Sequence, residues 1–218
     1  MLASGGLDSC VLLADLAGRA EVFPVYVAAG LAWEEEEQRA LAAYLEAVRA
    51  PSLRPLTVLS LAAQPLLDGH WSLTGRAVPG ADTLDSAVFI PGRNVLLFAL
   101  TAVWCATHDV PEIAIGSLGD NPFPDATPAF FEGFGRALSA GLGRGVRLVA
   151  PYRGRHKQEL IAEFRHLPLE LSMTCIAPSG GRHCGRCNKC HERQVAFTEA
   201  GVADVTVYAA PTILESRS

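Results

Sequence analysis

The sequence predicts an α/β fold, a doubly wound parallel sheet with a C-terminal metal-binding loop region, in a single domain over residues 1–218. Three observations carry this prediction. Short apolar stretches of strand character alternate with longer helical patterns, the order that gives a parallel sheet with helices on both faces. A glycine-rich turn, Ser4-Gly5-Gly6-Leu7-Asp8-Ser9, joins the first apolar residues to the first helix. Four of the six cysteines fall between residues 175 and 190.

The elements follow in order. Residues 1–3 can only be the end of a strand, so that strand is very short or the chain begins inside it. Residues 9–17 are helix-like and apolar. Residues 21–28 read as a strand weakened by Pro24. Residues 33–48 form an amphipathic helix opened by Glu34, Glu35, Glu36 and Glu37, which suit a helix N-terminus and are read as a solvated helix start. Residues 53–59 are the next strand. Residues 60–89 have no clear period and read as one long loop, a length that is usually functional or mobile. After Pro91-Gly92-Arg93-Asn94 comes an apolar helix over residues 95–108. Residues 112–116 read as a buried strand, 124–140 as a loop that becomes a helix, 146–150 as a strand and 157–164 as a short helix. The remainder reads as loop-rich and holds the clustered cysteines, and the tail after Pro211 reads as frayed. Ligands of such sheets bind beyond the carboxyl ends of the strands.

Composition narrows the function classes. Half the residues are hydrophobic and 19% are charged, which is a folded domain and not a disordered chain. A net charge of −5 argues against a large nucleic-acid footprint but leaves room for a small anion held by a few local donors. No run of about 18 apolar residues is free of charges or breakers, so no membrane span is expected. The N-terminus lacks the basic start and apolar stretch of a signal peptide. The uneven cysteines argue for a reducing cytoplasm and one metal cluster, not a secreted disulfide framework.

In the glycine-rich turn, glycines let the backbone turn sharply and approach a ligand closely. The free N–H groups and dipole of the following helix favour an anion. A phosphate fits there; the plainer alternative is a strand-to-helix turn with Asp8 as N-cap. The turn is neither a Walker loop nor a dinucleotide fingerprint. Cys175, Cys184, Cys187 and Cys190 are spaced so that one loop wraps a tetrahedral ion, in a knuckle over residues 174–193. Four thiolates with no open position make a structural zinc site, with an iron–sulfur cluster as the alternative. His183 and His191 flank the thiols. Cys10 and Cys105 read as small buried hydrophobes. His70, His108 and His166 have no partner pattern. Trp33, Trp71 and Trp104 read as core or lid residues and not as base-stacking platforms, and Trp71, inside the long loop, as a candidate cover over a ligand.

Ser-Gly-Gly-x-Asp-Ser resembles the motif of the PP-loop ATP pyrophosphatases, of HUP-like fold. With Phe89-Ile90-Pro91-Gly92-Arg93-Asn94, Gly116 to Phe131, Ala150-Pro151-Tyr152 with Lys157, Thr174-Cys175 and Cys184 to Arg193, the chain resembles the 7-cyano-7-deazaguanine synthase family of queuosine biosynthesis. The resemblance implies an ATP-dependent carbon–nitrogen ligase. ATP adenylates the carboxylate of 7-carboxy-7-deazaguanine, ammonia displaces AMP to give an amide, and a second ATP drives nitrile formation. It implies ATP contacts from Ala3, Ser4, Gly5, Gly6, Leu7, Asp8, Ser9, Asn94, Gly116 and Lys157. Catalytic roles are implied for Asp8, Arg93, Asp125 and Lys157. It also implies Mg2+ with the ATP, structural Zn2+, and a homodimer. Asp120 and Asp125 sit in a proline-rich loop, where turn capping explains them as well as a role near ATP, Mg2+ or substrate. Lys157 reads as a phosphate-binding lysine, with a solvated helix-start lysine as the alternative.

The family usually reads Tyr-Pro-Asp-Cys-Arg where this chain has Phe123-Pro124-Asp125-Ala126-Thr127. Arginine is the natural fork for a carboxylate and Thr127 cannot replace it. Altered or relaxed selectivity is therefore expected, with Arg93, Arg153 or Arg155 reaching the acid, or a different acid bound. The alternatives are an amide-forming or conjugating enzyme acting on another carboxylate, and a non-catalytic nucleotide-binding module.

Overall fold

The computed structural model describes residues 1–119 and 121–210; Asp120 and the tail from Pro211 lie outside the described residues. The order is α1 (Leu7–Ala17), β1 (Val25–Ala28), α2 (Glu34–Ala47), β2 (Thr57–Ser60), α3 (Trp71–Thr74), α4 (Arg93–Thr107), β3 (Glu112–Ala114), α5 (Pro128–Leu142), β4 (Arg147–Val149), α6 (Lys157–Glu163) and α7 (Asn188–Glu199). Both strand pairs are parallel, β1 with β2 from Val25↔Thr57 to Ala28↔Ser60 and β3 with β4 from Glu112↔Arg147 to Ala114↔Val149. The α/β class with parallel strands is thus as expected. A single continuous sheet is not seen: the strands form two two-stranded sheets. Residues 1–3 lie between them, as three residues of extended chain too short to register as a strand. The N–H of Ala3 donates to Val25 O (2.8 Å), that of Val25 to Met1 O (2.9 Å), and that of Leu2 to Ala114 O (2.9 Å).

Strand side chains alternate between two apolar clusters, as a period of two requires. Met1, Ala3, Tyr26 and Ala114 join α1, Leu41 and Tyr44 of α2, Leu160 and Ile161 of α6, and Phe197 of α7. Leu2, Val27 and Ile113 join Phe98, Ala102 and Cys105 of α4 and Phe131 of α5. Cys10 and Cys105 are buried, unpaired members of these clusters, as their setting predicted.

Two segments differ from the sequence reading. The loop-rich remainder contains a helix that the sequence reading did not place, α7. Its buried face is made of Asn188, Cys190, Arg193, Gln194, Ala196 and Phe197, so an apolar period never appears in the sequence. The long segment 60–89 is tied down. The N–H of Asn188 donates to Pro79 O (3.0 Å), that of Ala81 to Arg186 O (3.1 Å), and Asn188 Nδ2 donates to Thr83 O (2.9 Å). Trp71 stacks on buried Trp33 at 5.7 Å, inside a third apolar cluster that also holds Cys175, Cys187 and Cys190. The segment therefore packs on the cysteine knuckle, which supplies the apolar surface that the segment itself lacks.

Arg193 anchors α7. It is fully buried, and its Nε donates to Thr206 Oγ1 (2.9 Å), Nη1 to Ser172 Oγ (2.9 Å) and Nη2 to Leu169 O (2.8 Å), with the guanidinium over the Phe197 ring. Removing it takes the guanidinium donors from Thr206 Oγ1 and Ser172 Oγ in the interior, while Leu169 O keeps the Ser172 N–H and hydroxyl. Arg193→Leu should therefore destabilise the fold by about 3 kcal/mol, read as a lower urea midpoint at unchanged slope. A midpoint shift below about 1 kcal/mol would show that the anchor is dispensable.

Candidate functional site

The loop Ser4–Ser9 is braced by its own hydroxyls. The N–H of Ser4 donates to Ser9 Oγ (3.0 Å) and that of Gly6 to Ser4 Oγ (3.3 Å). Gly6 is the N-cap of α1, and no side chain caps the helix. Asp8 is the second helical residue, so its reading as the N-cap falls away. The first turn keeps its N–H groups and its dipole for an anion. Two glycines are obligatory on geometry. Gly5 has φ +73°, and a Cβ on it would sit 2.6 Å from the carbonyl oxygen of Glu37. A Cβ on Gly116, just beyond β3, would lie 2.9 Å from the carbonyl of Asp8. Ala3 and Leu7 are buried, so only their backbones can serve a ligand.

Against this loop sits a charge network. Lys157 Nζ, at the first residue of α6, lies 3.2 Å from Asp8 Oδ2 and pairs with Glu192 Oε1; Lys189 pairs with the other oxygen of Glu192. Burial pulls the Lys157 pKa down, but Asp8 and Glu192 outweigh it and hold the ammonium well above its usual range. Burial pushes Glu192 up, but Lys157 and Lys189 win and take it down to about 2. Burial raises Asp8 despite Lys157 beside it, and Asp8 Oδ1 is buried without a hydrogen-bond partner. Lys157 is therefore no solvated helix-start lysine. Glu192 and Lys189 were not singled out from sequence, because 35 residues separate Glu192 from Lys157 and no local pattern joins them.

A second group forms at the start of α4. The N–H of Asn94 donates to Asp125 Oδ2 (3.0 Å) and Asn94 Nδ2 donates to Asp125 O (3.0 Å), so Asp125 caps α4 from another segment. Burial raises the Asp125 carboxyl, opposed by the Asn94 N–H and by Arg93. No hydrogen bond or ion pair among the described residues joins this group directly to Asp8 and Lys157. Between the two groups lies Glu37, which corrects the reading of four solvated glutamates. Glu34 and Glu37 are buried. Glu34 Oε2 accepts from the N–H groups of Ala29 (3.2 Å) and Leu31 (2.8 Å), while Glu37 Oε2 accepts from Tyr26 Oη at 2.7 Å. Burial pushes the Glu37 carboxyl up to about 7, against the charge of Arg93 and the Tyr26 bond. The spacing of Glu34 and Glu37, three residues apart on one helix face, is the signal that was there to find.

The four knuckle cysteines converge. Their Sγ atoms all lie within 4.8 Å of one another, with Cys175 to Cys187 at 3.9 Å and Cys184 to Cys190 at 3.8 Å. A tetrahedral ion with metal–sulfur bonds of about 2.3 Å requires sulfur separations of about 3.8 Å, so the set fits such a metal. Backbone N–H groups of Cys184 (3.2 Å) and Ala177 (3.4 Å) point at Cys175 Sγ, and those of Cys187 (3.3 Å) and Arg186 (3.4 Å) at Cys184 Sγ, as thiolate ligands demand. His183 lies outside this set; its Nε2 accepts from the Thr174 N–H (3.2 Å).

Comparison with known proteins places the chain. The family model described as "Queuosine biosynthesis protein QueC" matches residues 1–201. The chain belongs to the QueC family. The 7-cyano-7-deazaguanine synthase 1 of Desulfitobacterium hafniense is 32% identical over 203 residues, covering 90% of each chain. The 7-cyano-7-deazaguanine synthase of Methanothermobacter thermautotrophicus is 32% identical over 223 residues, covering 94% of this chain and 96% of its own. That of Stutzerimonas stutzeri is 29% identical over 219 residues, covering 95% and 96%. Membership in the QueC family agrees with the motifs from Ser4 to Arg193. No helix among the described residues is long and apolar enough to cross a membrane.

Two outcomes follow from this geometry. Glu37 binds its proton more tightly in the fold than in the unfolded chain. Its contribution to stability is complete below its ordinary value of 4.5 and is lost as pH rises through about 7. Glu37→Gln, neutral throughout, should match the wild type near about pH 4, gain on it progressively from there to about pH 7, and level off above that at about 3 kcal/mol at most. Urea denaturation across that range checks this, and a constant difference would deny the buried-carboxyl account. Metal removal by a strong chelator should lower the melting temperature and open segment 60–89 to proteolysis, since metal binding energy is folding energy here. An unchanged cleavage pattern would separate that segment from the knuckle.

Proposed function

We propose that this chain is an ATP-dependent carbon–nitrogen ligase that adenylates the carboxylate of 7-carboxy-7-deazaguanine and, with ammonia, converts it to 7-cyano-7-deazaguanine. The observation that carries the reading is the uncapped, glycine-shaped start of α1 with the Asp8–Lys157 pair seated against it. Full-length likeness to proteins named 7-cyano-7-deazaguanine synthase supports the substrate.

In this reading the backbone N–H groups of Gly5 and of residues 7–9, with the Ser4 and Ser9 hydroxyls, cradle the phosphates of ATP. The carboxylate attacks the α-phosphorus and pyrophosphate leaves. Lys157, kept protonated by its two carboxylates, carries charge toward the departing pyrophosphate, and Asp8 holds that ammonium in place. Ammonia then attacks the acyl carbon and AMP leaves, giving the amide. A second adenylation, on the amide oxygen, lets AMP depart again with loss of the nitrogen's protons to form the nitrile. Arg93 and Asn94 line the cleft beside the nucleotide, and Asp125 aims them by capping α4. Gly116 leaves room for the loop against Asp8. Mg2+ accompanies ATP and offsets phosphate charge. Cys175, Cys184, Cys187 and Cys190 hold zinc, whose closed thiolate shell is structural.

Residues 1–3 act as the middle of one doubly wound sheet ordered β2, β1, 1–3, β3, β4, with the ligand cleft at the carboxyl ends of its central strands. The enzyme works in the cytoplasm as a homodimer and needs no nucleic acid.

Exchange of labelled pyrophosphate into ATP, dependent on 7-carboxy-7-deazaguanine, should be seen with the wild type. Lys157→Met should lower it by about 100-fold or more, with the fold retained by circular dichroism. Exchange driven only by a different acid would keep the reaction and replace the substrate; ATP binding without exchange for any acid would favour a nucleotide-binding module.

A further inference from the structure

The link from β4 to α6 carries two arginines, and the structure treats them differently. Arg155 is committed: it pairs with Glu163 at 2.5 Å, and its guanidinium lies 5.8 Å from the Tyr152 ring centre. Arg93, at the start of α4, is near enough to Glu37 and Asp125 for its charge to hold both carboxyls down, and it leaves one buried nitrogen, Nε, without a hydrogen-bond partner. Arg153 has no ion pair among the described residues. Its guanidinium lies 4.7 Å over the ring of Phe131, and its Nε and Nη2 are buried without a hydrogen-bond partner. These two nitrogens form one edge of the guanidinium, the edge whose parallel N–H bonds match the two oxygens of a carboxylate. A buried donor edge left unfilled is costly, and the cost is recovered when an acceptor arrives.

The position suits that acceptor. Lys157 lies four residues further along the same link. The loop after β3 is fastened to the link by the N–H of Gly119, which donates to Arg155 O at 3.1 Å, and the same loop rests against Asp8 through Gly116. Phe131, beneath the guanidinium, lies one helical turn beyond Thr127. The Thr127 hydroxyl is spent locally, accepting from the Phe130 N–H (3.2 Å) and donating to Pro124 O (3.2 Å). Within residues 123–127 the charged side chain is Asp125, an anion that caps α4. The cation that a substrate anion requires comes from elsewhere in the fold.

We propose that Arg153, through its Nε and Nη2 edge, receives the carboxylate of the substrate and so sets selectivity for the acid over the neutral amide carried at the same ring position. This rests on the ligase reading above. The stack on Phe131 fixes the guanidinium plane, so the edge is oriented before the ligand arrives. The amide presents one acceptor oxygen and no charge, so it gains less from this edge than the acid does.

The test uses the full chain with 7-carboxy-7-deazaguanine and, separately, its 7-carboxamide. Arg153→Met keeps length and a sulfur contact to the Phe131 ring. It should raise KM for the acid by about 30-fold, a typical worth for two bonds to a charged group, and leave KM for the amide and for ATP within about twofold. Arg153→Lys keeps the charge and loses the two-bond edge; its KM for the acid should rise by about tenfold, again with the amide unchanged. This variant decides the matter if Arg153→Met does not fold. Equal rises for acid and amide, or an unchanged KM for the acid, overturn the proposal while leaving the ligase reading standing. A wild type that turns over neither compound overturns that reading, and the role of Arg153 with it.

Discussion

The arrangement depends on one ammonium group. Lys157 is largely withdrawn from water, and an amine there stays charged only with carboxylates at hand. It has two, Asp8 from the first helix and Glu192 from the last. That requirement draws the starts of α1 and α6 and the body of α7 to one place, although they are far apart in sequence. The same point lies at the uncapped N-terminus of α1. The electrostatic need of a single side chain and the position of the anion-ready turn are therefore met by one convergence.

The knuckle enters this convergence from behind. Cys187 and Cys190 flank the start of α7, so whatever orders the four thiols also orders the helix that presents Glu192 and Lys189. Arg193, the residue after Glu192, ties that helix to Leu169, Ser172 and Thr206. The long segment 60–89, without a period of its own, is held by hydrogen bonds to Asn188 and Arg186. A region with little apolar core of its own is thus organised by four sulfurs and one guanidinium. This is the role expected of a closed metal shell in a small subdomain.

Around the loop, close backbone approach replaces side-chain contact. Gly5 presses on the Glu37 carbonyl and Gly116 on that of Asp8, so the turn is shaped from outside as well as by its own hydroxyls. Glu37 lies beside it, its carboxyl oxygen accepting from the Tyr26 hydroxyl and its charge offset by Arg93. Of the three arginines named from sequence, Arg155 is ion-paired, Arg93 keeps one buried nitrogen without a partner, and Arg153 keeps a whole edge of two.

The sequence by itself determined what is local. The turn from Ser4 to Ser9, the cysteine spacing, the strand and helix alternation up to residue 164, and the family were all legible, because each depends on residues near one another in the chain or on a motif. Tertiary structure decided what depends on distant partners. It made Asp8 a counter-ion in place of a cap, buried Glu34 and Glu37 where local charge suggested solvent, and joined Glu192 to Lys157. It also built α7 on a polar buried face and parted Arg153 from Arg155. In each of these cases the deciding quantity was desolvation of a charged group. Desolvation is set by what packs against that group from elsewhere in the chain, and no window of sequence contains it.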